Sequence, residues 1–346
     1  MVKSISDWIR RHPGPVLALA FVVLQLLDVR SYPLVLYDEV ILNDAAWQFL
    51  RTGQFRADVL SEHDGFEHHY LWQPPGQSIS VALSYALFGL GIIQTRLPGI
   101  VFGGLGVWAL YELTLALSGR RASALIAAAL LFAWPHWIQT AKMSRMDTGA
   151  ITAMLVATAG LIPSLKDPRP NRLFLLGLIG GVGGLFHTVA LVWCFALALV
   201  LFVFTRFRFL PAVAFSIGVG VPMLLWVGYG LLWPREFERQ FLELFLNRTS
   251  AGVGVLPRLL QEGQRYLGDF ASVPSALPVL AIAGYGYAKS RLWQQQTVAA
   301  LLAVTAIVVV LHGLFGAHTN WRSFASKPQM QGFTCHLLDL RNHGTS

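Results

Sequence analysis

The sequence reads as an all-α, polytopic membrane protein whose helices cross the bilayer about nine times. Three observations carry that reading. Of its 346 residues, 55% are hydrophobic and 13% charged, against the roughly 25% charged of a soluble domain, and the mean hydropathy is +0.54. Long apolar runs recur with Gly and Pro inside them, a pattern of helices and not of a barrel, whose strands would be short and alternating. Most Lys and Arg stand in short clusters between those runs, as in cytoplasmic loops, so the net charge of +8 does not indicate a nucleic-acid partner. Cys194 and Cys335 fit neither a disulfide framework nor a zinc spacing.

Charge parity orders the elements. Lys3, Arg10 and Arg11 put residues 1–14 in the cytoplasm, and the first helix, at 15–36, delivers Asp38 to the outer face. The run resembles a signal peptide, but no small-x-small cleavage site follows its core, so it reads as retained. Asp28 and Arg30 are unusual near its outer end. Gly119-Arg120-Arg121 should be cytoplasmic again, which requires an odd number of crossings after Asp38. The run at 78–90 falls well short of the ~20 residues of a crossing and reads as interfacial or re-entrant. That leaves 97–117 as the second crossing and a first outer loop of 37–96.

Crossings at 122–140 and 148–165 follow. The block 173–204 has basic residues at both ends (Lys166, Arg169 and Arg172; Arg206 and Arg208), so it should be a hairpin of two short helices turning near Phe186-His187-Thr188. After a crossing at 210–233, Phe237, Phe241, Leu244 and Phe245 recur at helical spacing, as expected of a helix lying on the membrane. Crossings at 276–288 and 297–315 close a transmembrane domain of 15–315. The sequence has no internal repeat of the kind many transporters carry. Residues 316–346 are polar and patternless, and read as a disordered tail or the product of a shifted reading frame.

Several polar residues stand out. Asp38 and Glu39 are adjacent carboxylates at a helix end, where the plain alternative is that they mark the water boundary. Lys142 and Arg145 lie on the side where positive charge is disfavoured and beside Asp147. A phosphate clamp explains that placement; snorkelling of the cations and helix capping by Asp147 are the plain alternatives. His187, at the hairpin turn, should face the same side. His63, Asp64, Glu67, His68 and His69 are metal-ligand types, so a divalent metal is an open option, but they meet no standard spacing and a solvated loop explains them as well. Pro74-Pro75 must form a rigid turn.

A set of motifs runs in order: Tyr37-Asp38-Glu39, the helix NDAAWQFLRTGQF, Gln73-Pro74-Pro75, Leu87-Phe88-Gly89, Thr95-Arg96-Leu97-Pro98-Gly99, Gly119-Arg120-Arg121 and Ser144-Arg145-Met146-Asp147. Together they resemble the GT-C membrane glycosyltransferases over residues 15–210. The similarity is to the dolichyl-phosphate-mannose–protein mannosyltransferase family and its bacterial relatives, which include the aminoarabinose transferases acting on lipid A. The resemblance implies a GT-C-like helix bundle in a bacterial inner membrane, with its active site facing the periplasm. It also implies transfer of a sugar from a polyprenyl-phosphate donor, in contact with membrane lipid, to a protein, lipid or glycan acceptor, with inversion at the anomeric carbon.

On the matching positions, Asp38 takes the place of the family's first acid as base or metal partner, and Glu39 follows it. Asp44 stands where relatives often have Glu, Asp147 is the second acid with Arg145 before it, and His187 stands where relatives often carry Lys. Ile41 and Gln73 replace basic residues usual in the family. The competing readings are a transporter or lipid flippase, which predicts acids deep within helices and repeated halves, and an inactive or truncated relative of these enzymes.

Overall fold

The computed structural model describes residues 7–8, 11–35, 37–61 and 64–243, with the backbone alone for 37, 38, 242 and 243. Helix makes up 78% of them and none forms a strand, as the hydropathy requires. The first helix, α1 (Pro13–Leu26), opens on a proline and stops after 14 residues, short of the expected end at residue 36. Asp28 pairs with Lys142, and Pro33 has no N–H with which to continue a helix.

The loop between α1 and the next long span is itself mostly helical. α2 (Tyr37–Thr52) carries Asp38 and Glu39 in its first turn, where acids suit the helix dipole, and is followed by Gly53 at φ +75°. A 3-10 turn covers Asp58–Leu60, and α3 (Gly76–Phe88) follows Pro74-Pro75. At 13 residues, α3 is about 20 Å long, too short to span and in keeping with an interfacial element. One face of α2, with Ile41, Leu42 and Ala45, buries against Phe55, Leu60, Phe66 and Tyr70 of the loop.

The bundle follows: α4 (Ile92–Ser118), α5 (Arg121–Ala133), α6 (Pro135–Lys142), α7 (Met146–Ser164), α8 (Pro170–Phe186), α9 (Val189–Phe204) and α10 (Phe209–Gly230). Among the described residues, α4, α7 and α10 are long and apolar enough to cross a membrane, and α5 with α6 makes a fourth span if taken as one. The span expected at 122–140 is bent by 60° at Trp134-Pro135, where proline removes a helix hydrogen bond. α8 and α9 form the expected hairpin, turning at His187-Thr188. The crossings at 276–288 and 297–315 lie outside the described residues, as does residue 244 onward of the helix expected on the membrane. Its described part, α11 (Pro234–Phe237) and a π-helical turn at Glu238–Glu243, differs from expectation. Phe237 is buried against Trp226 and so packs on protein and not on lipid.

Lipid is as apolar as leucine, so close packing and interhelical hydrogen bonds hold such a bundle together. Glycine lets α8 and α10 touch backbone to backbone: a Cβ on Gly177 would sit 2.0 Å from Phe215 O, and one on Gly218 2.2 Å from Phe174 O. Thr152 Oγ1 donates to Phe102 O at 2.8 Å, joining α7 to α4. Gly177→Leu should cost about 1–3 kcal/mol by overpacking, read as a lower melting temperature of the purified protein in detergent. Gly220→Ala, where nothing lies within 4 Å of the added carbon, should melt no lower than the wild type does.

Candidate functional site

The acid pair at the start of α2 has two different fates. Asp38 lies in the first turn of the helix, and its side chain falls outside the described residues. Glu39 is only 1% exposed, and Arg96, at the start of α4, is fully buried. Arg96 Nε donates to Glu39 Oε1 and Nη2 to Oε2, both at 3.0 Å, the bidentate geometry that suits guanidinium and carboxylate. Nη1 donates to Val29 O at 2.9 Å. The Ser144 N–H donates to Glu39 Oε1 at 2.9 Å. Ser144 Oγ donates to Asn43 Oδ1 at 2.9 Å and accepts from Gln77 Nε2 at 3.1 Å. Through Arg96 and Ser144, this carboxylate on α2 is linked to the chain after α1, to α3, to α4 and to the turn between α6 and α7.

Arg145 follows Ser144 directly. Its Nε lies 3.1 Å from Asp147 Oδ2, and the two side chains are 26% and 32% exposed, so this pair reaches the surface of the site. Lys142 is different. It is buried, bonded to Asp28 and lies over the Tyr32 ring, which explains the acid at the end of α1. His187 Nδ1 accepts from Val189 N–H at 3.1 Å, holding the hairpin turn. That turn meets the Pro-Pro turn, since a Cβ on Gly76 would sit 2.7 Å from Leu185 O. Gln73 is half-buried and Pro74 buried. Arg145, Asp147, Gln73-Pro74-Pro75 and His187 therefore gather at one end of the bundle, around the Glu39–Arg96 pair.

The loop between α2 and α3 is pinned at both ends. Asp44 Oδ2 accepts from Val59 N–H at 2.9 Å, and Gln48 Nε2 donates to Asp58 Oδ2 at 2.8 Å, so Asp44 holds the 3-10 turn. At the far end His69 stacks on Trp233, ring centroids 3.9 Å apart, and Gln240 bonds to the loop backbone. Burial lowers the His69 pKa from its ordinary value, against an upward pull from Glu236 and with a smaller downward push from His68. Glu67 lies 3.6 Å from His68, and His63 is outside the described residues. Among the described residues no three His, Cys, Asp or Glu side chains lie together as a metal would need.

An apolar cavity of about 290 Å3 opens between α4, α7 and α8, lined by Phe102, Leu105, Val156, Ile179, Val182 and Phe186 among others. Leu105 and Val182 at its rim are 37% and 44% exposed. Its lining includes Gly149, two residues along α7 from Asp147, and Phe186, the residue before His187.

Sequence alone placed Arg96 and Ser144 within motifs without giving either a role, and did not single out Gln240. A signal existed for Arg96, since a charge opening an apolar run calls for a partner; for Gln240 none existed. Arg96→Met should strand the buried Glu39 charge and cost about 3–5 kcal/mol. The double variant with Glu39→Gln should recover most of the lost melting temperature. An Arg96→Met protein that melts as wild type does would show that the pair carries no such load.

Comparison with known proteins adds two family matches and no relative, for no curated protein matches the chain. Residues 306–346, outside the described residues, match the family model for the alpha/beta hydrolase fold. The other match, to dolichyl-phosphate-mannose-protein mannosyltransferase, runs over 72–227, somewhat under half of the chain. It takes in Gln73, Arg96, Arg145, Asp147 and His187 but begins after the acid pair of α2. Over residues 72–227 the resemblance carried by the motifs is thereby shown: this stretch matches the dolichyl-phosphate-mannose-protein mannosyltransferase family, whose members use polyprenyl-phosphate sugar donors.

Proposed function

We propose that the protein transfers a sugar from a polyprenyl-phosphate donor to an acceptor hydroxyl or amine at the outer face of a bacterial inner membrane. The observation that carries this reading is the apolar cavity whose lining includes Gly149, two residues along α7 from Asp147, and Phe186, the residue before His187. A lipid phosphate is a hydrocarbon chain joined to an anion. In this reading the chain occupies the cavity, and Arg145, the more accessible of the two cations first considered, faces the phosphate. His187 lies beside it, and Lys142, paired with Asp28, supports the turn.

Asp38 acts as the base. It takes the acceptor's proton as the acceptor atom attacks the anomeric carbon from the face opposite the phosphate. The carbon–oxygen bond to phosphate breaks, the configuration inverts, and the polyprenyl phosphate leaves with its charge offset by Arg145. Glu39 is left to a structural role, because both its oxygens accept hydrogen bonds from Arg96 and Ser144. Asp147 orients Arg145, and Gln73-Pro74-Pro75 bounds the site on the acceptor side.

The test is sugar transfer from labelled polyprenyl-phosphate sugars in proteoliposomes. Asp38→Asn should lower kcat by about 100-fold or more, the usual weight of a general base, with little change in donor KM. Undiminished transfer by that variant would remove Asp38 from the mechanism. Accumulation of the labelled lipid on the opposite leaflet without transfer would favour a flippase instead.

A further inference from the structure

We propose that Gln240 is a positioning residue for this transfer site, locking the loop 64–71 and through it the Gln73-Pro74-Pro75 turn. The proposal rests on the glycosyltransferase reading above. Gln240 is fully buried, in the turn that follows α10 and α11. Its Oε1 accepts from Leu71 N–H at 2.7 Å. Its Nε2 donates to His69 O at 2.8 Å and to Asp64 O at 3.1 Å. A single amide therefore satisfies one N–H and two carbonyls of a loop some 170 residues earlier in the chain.

The surroundings are apolar. Leu71 is fully buried and packs with Trp226 and Phe237, with Phe241 alongside. A carboxamide is the uncharged side chain that offers two N–H donors and a carbonyl acceptor together. If the loop lifted while Gln240 stayed buried, both sides would lose hydrogen bonds in a setting where unmet polar groups are costly. Only Trp72 separates the locked Leu71 from Gln73-Pro74-Pro75. The two prolines fix their own φ angles, so the position of Leu71 passes stiffly to Gly76, which rests on Leu185 O beside the His187 turn.

The near-isosteric Gln240→Glu variant separates this role from simple packing. As a carboxylate the new side chain still accepts from Leu71 N–H, but it sets negative oxygen against the His69 and Asp64 carbonyls. When protonated, it regains one donor. That environment raises its pKa, so the lock is present below the raised value and is lost as pH rises through it. Relative to wild type, kcat should fall by about 10-fold or more at about pH 8 and recover to within about three-fold at about pH 5.5. The donor KM should stay within about two-fold, since the apolar cavity does not touch the loop. His69, His68, Glu67, Asp64 and Glu236, with Glu238 and Arg239 beside Gln240 in the chain, titrate or carry charge in both proteins, so the ratio to wild type removes them.

Amide exchange at Leu71, measured in parallel on wild type and on Gln240→Leu, reads the lock without any transfer assay. Faster exchange in Gln240→Leu, together with the pH-dependent kcat ratio of Gln240→Glu, is the expected result. Wild-type exchange in Gln240→Leu would overturn the lock. A freed loop with kcat unchanged, or a kcat ratio flat with pH, would overturn the positioning role. Absence of transfer by the wild type would instead remove the glycosyltransferase reading, leaving the exchange result to decide the lock by itself.

Discussion

The fully buried ion pair of Glu39 and Arg96 is the constraint on which the polar end of this bundle depends. Two charges removed from water each carry a desolvation penalty of several kcal/mol, offset only if the geometry is good and the remaining hydrogen-bonding positions are filled. Here they are filled: Arg96 makes a bidentate contact and reaches Val29 O, and Glu39 takes the Ser144 N–H as well. The segments that supply those partners cannot drift apart without exposing a charge to apolar surroundings. Asp38 and Arg145, each next in the chain to a residue of this network, are thereby tied to one place.

The ion pair also shows where the charge facing Glu39 comes from. Ile41, two residues beyond Glu39, is 1% exposed and belongs to the core beneath the loop. A cation there would be buried without water. The charge that answers Glu39 comes from Arg96, 57 residues along the chain. Asp28 is explained in the same way: an acid at the end of α1 looks misplaced until Lys142 is seen beside it. In both cases an ionisable residue near apolar surface finds its partner on another element, as the cost of leaving it alone demands.

The loop between α2 and α3 is long yet ordered, because its side chains help build a core and its ends are held. Asp44 fixes the 3-10 turn near its start, and Gln240 fixes its far end from beyond α10. Between them Phe49 and Phe55 stack, ring centroids 4.0 Å apart, over a cluster that includes Phe66 and Tyr70. Loops longer than about 12–15 residues with little regular structure of their own are usually functional when they occur inside a compact domain. This one leads straight into the turn that bounds the proposed site.

What the sequence determined by itself was whatever depends on local composition. Apolar length fixed the spans at α4, α7 and α10, and proline placed the rigid turn before α3. The basic residues flanking 173–204 required a hairpin, and its turn does fall at His187. The brevity of α3 was legible from its 13 residues alone. What only the tertiary structure decided was pairing: which carboxylate is spent on Arg96, that Lys142 is buried with Asp28, and that Phe237 packs on Trp226 instead of on lipid. It alone revealed Gln240 as the fastening of a loop far away in the chain. The physical reason is that hydropathy is a property of a window of residues, whereas a hydrogen bond or ion pair is a property of two positions in space. No periodicity in one segment records which distant segment will supply the other half.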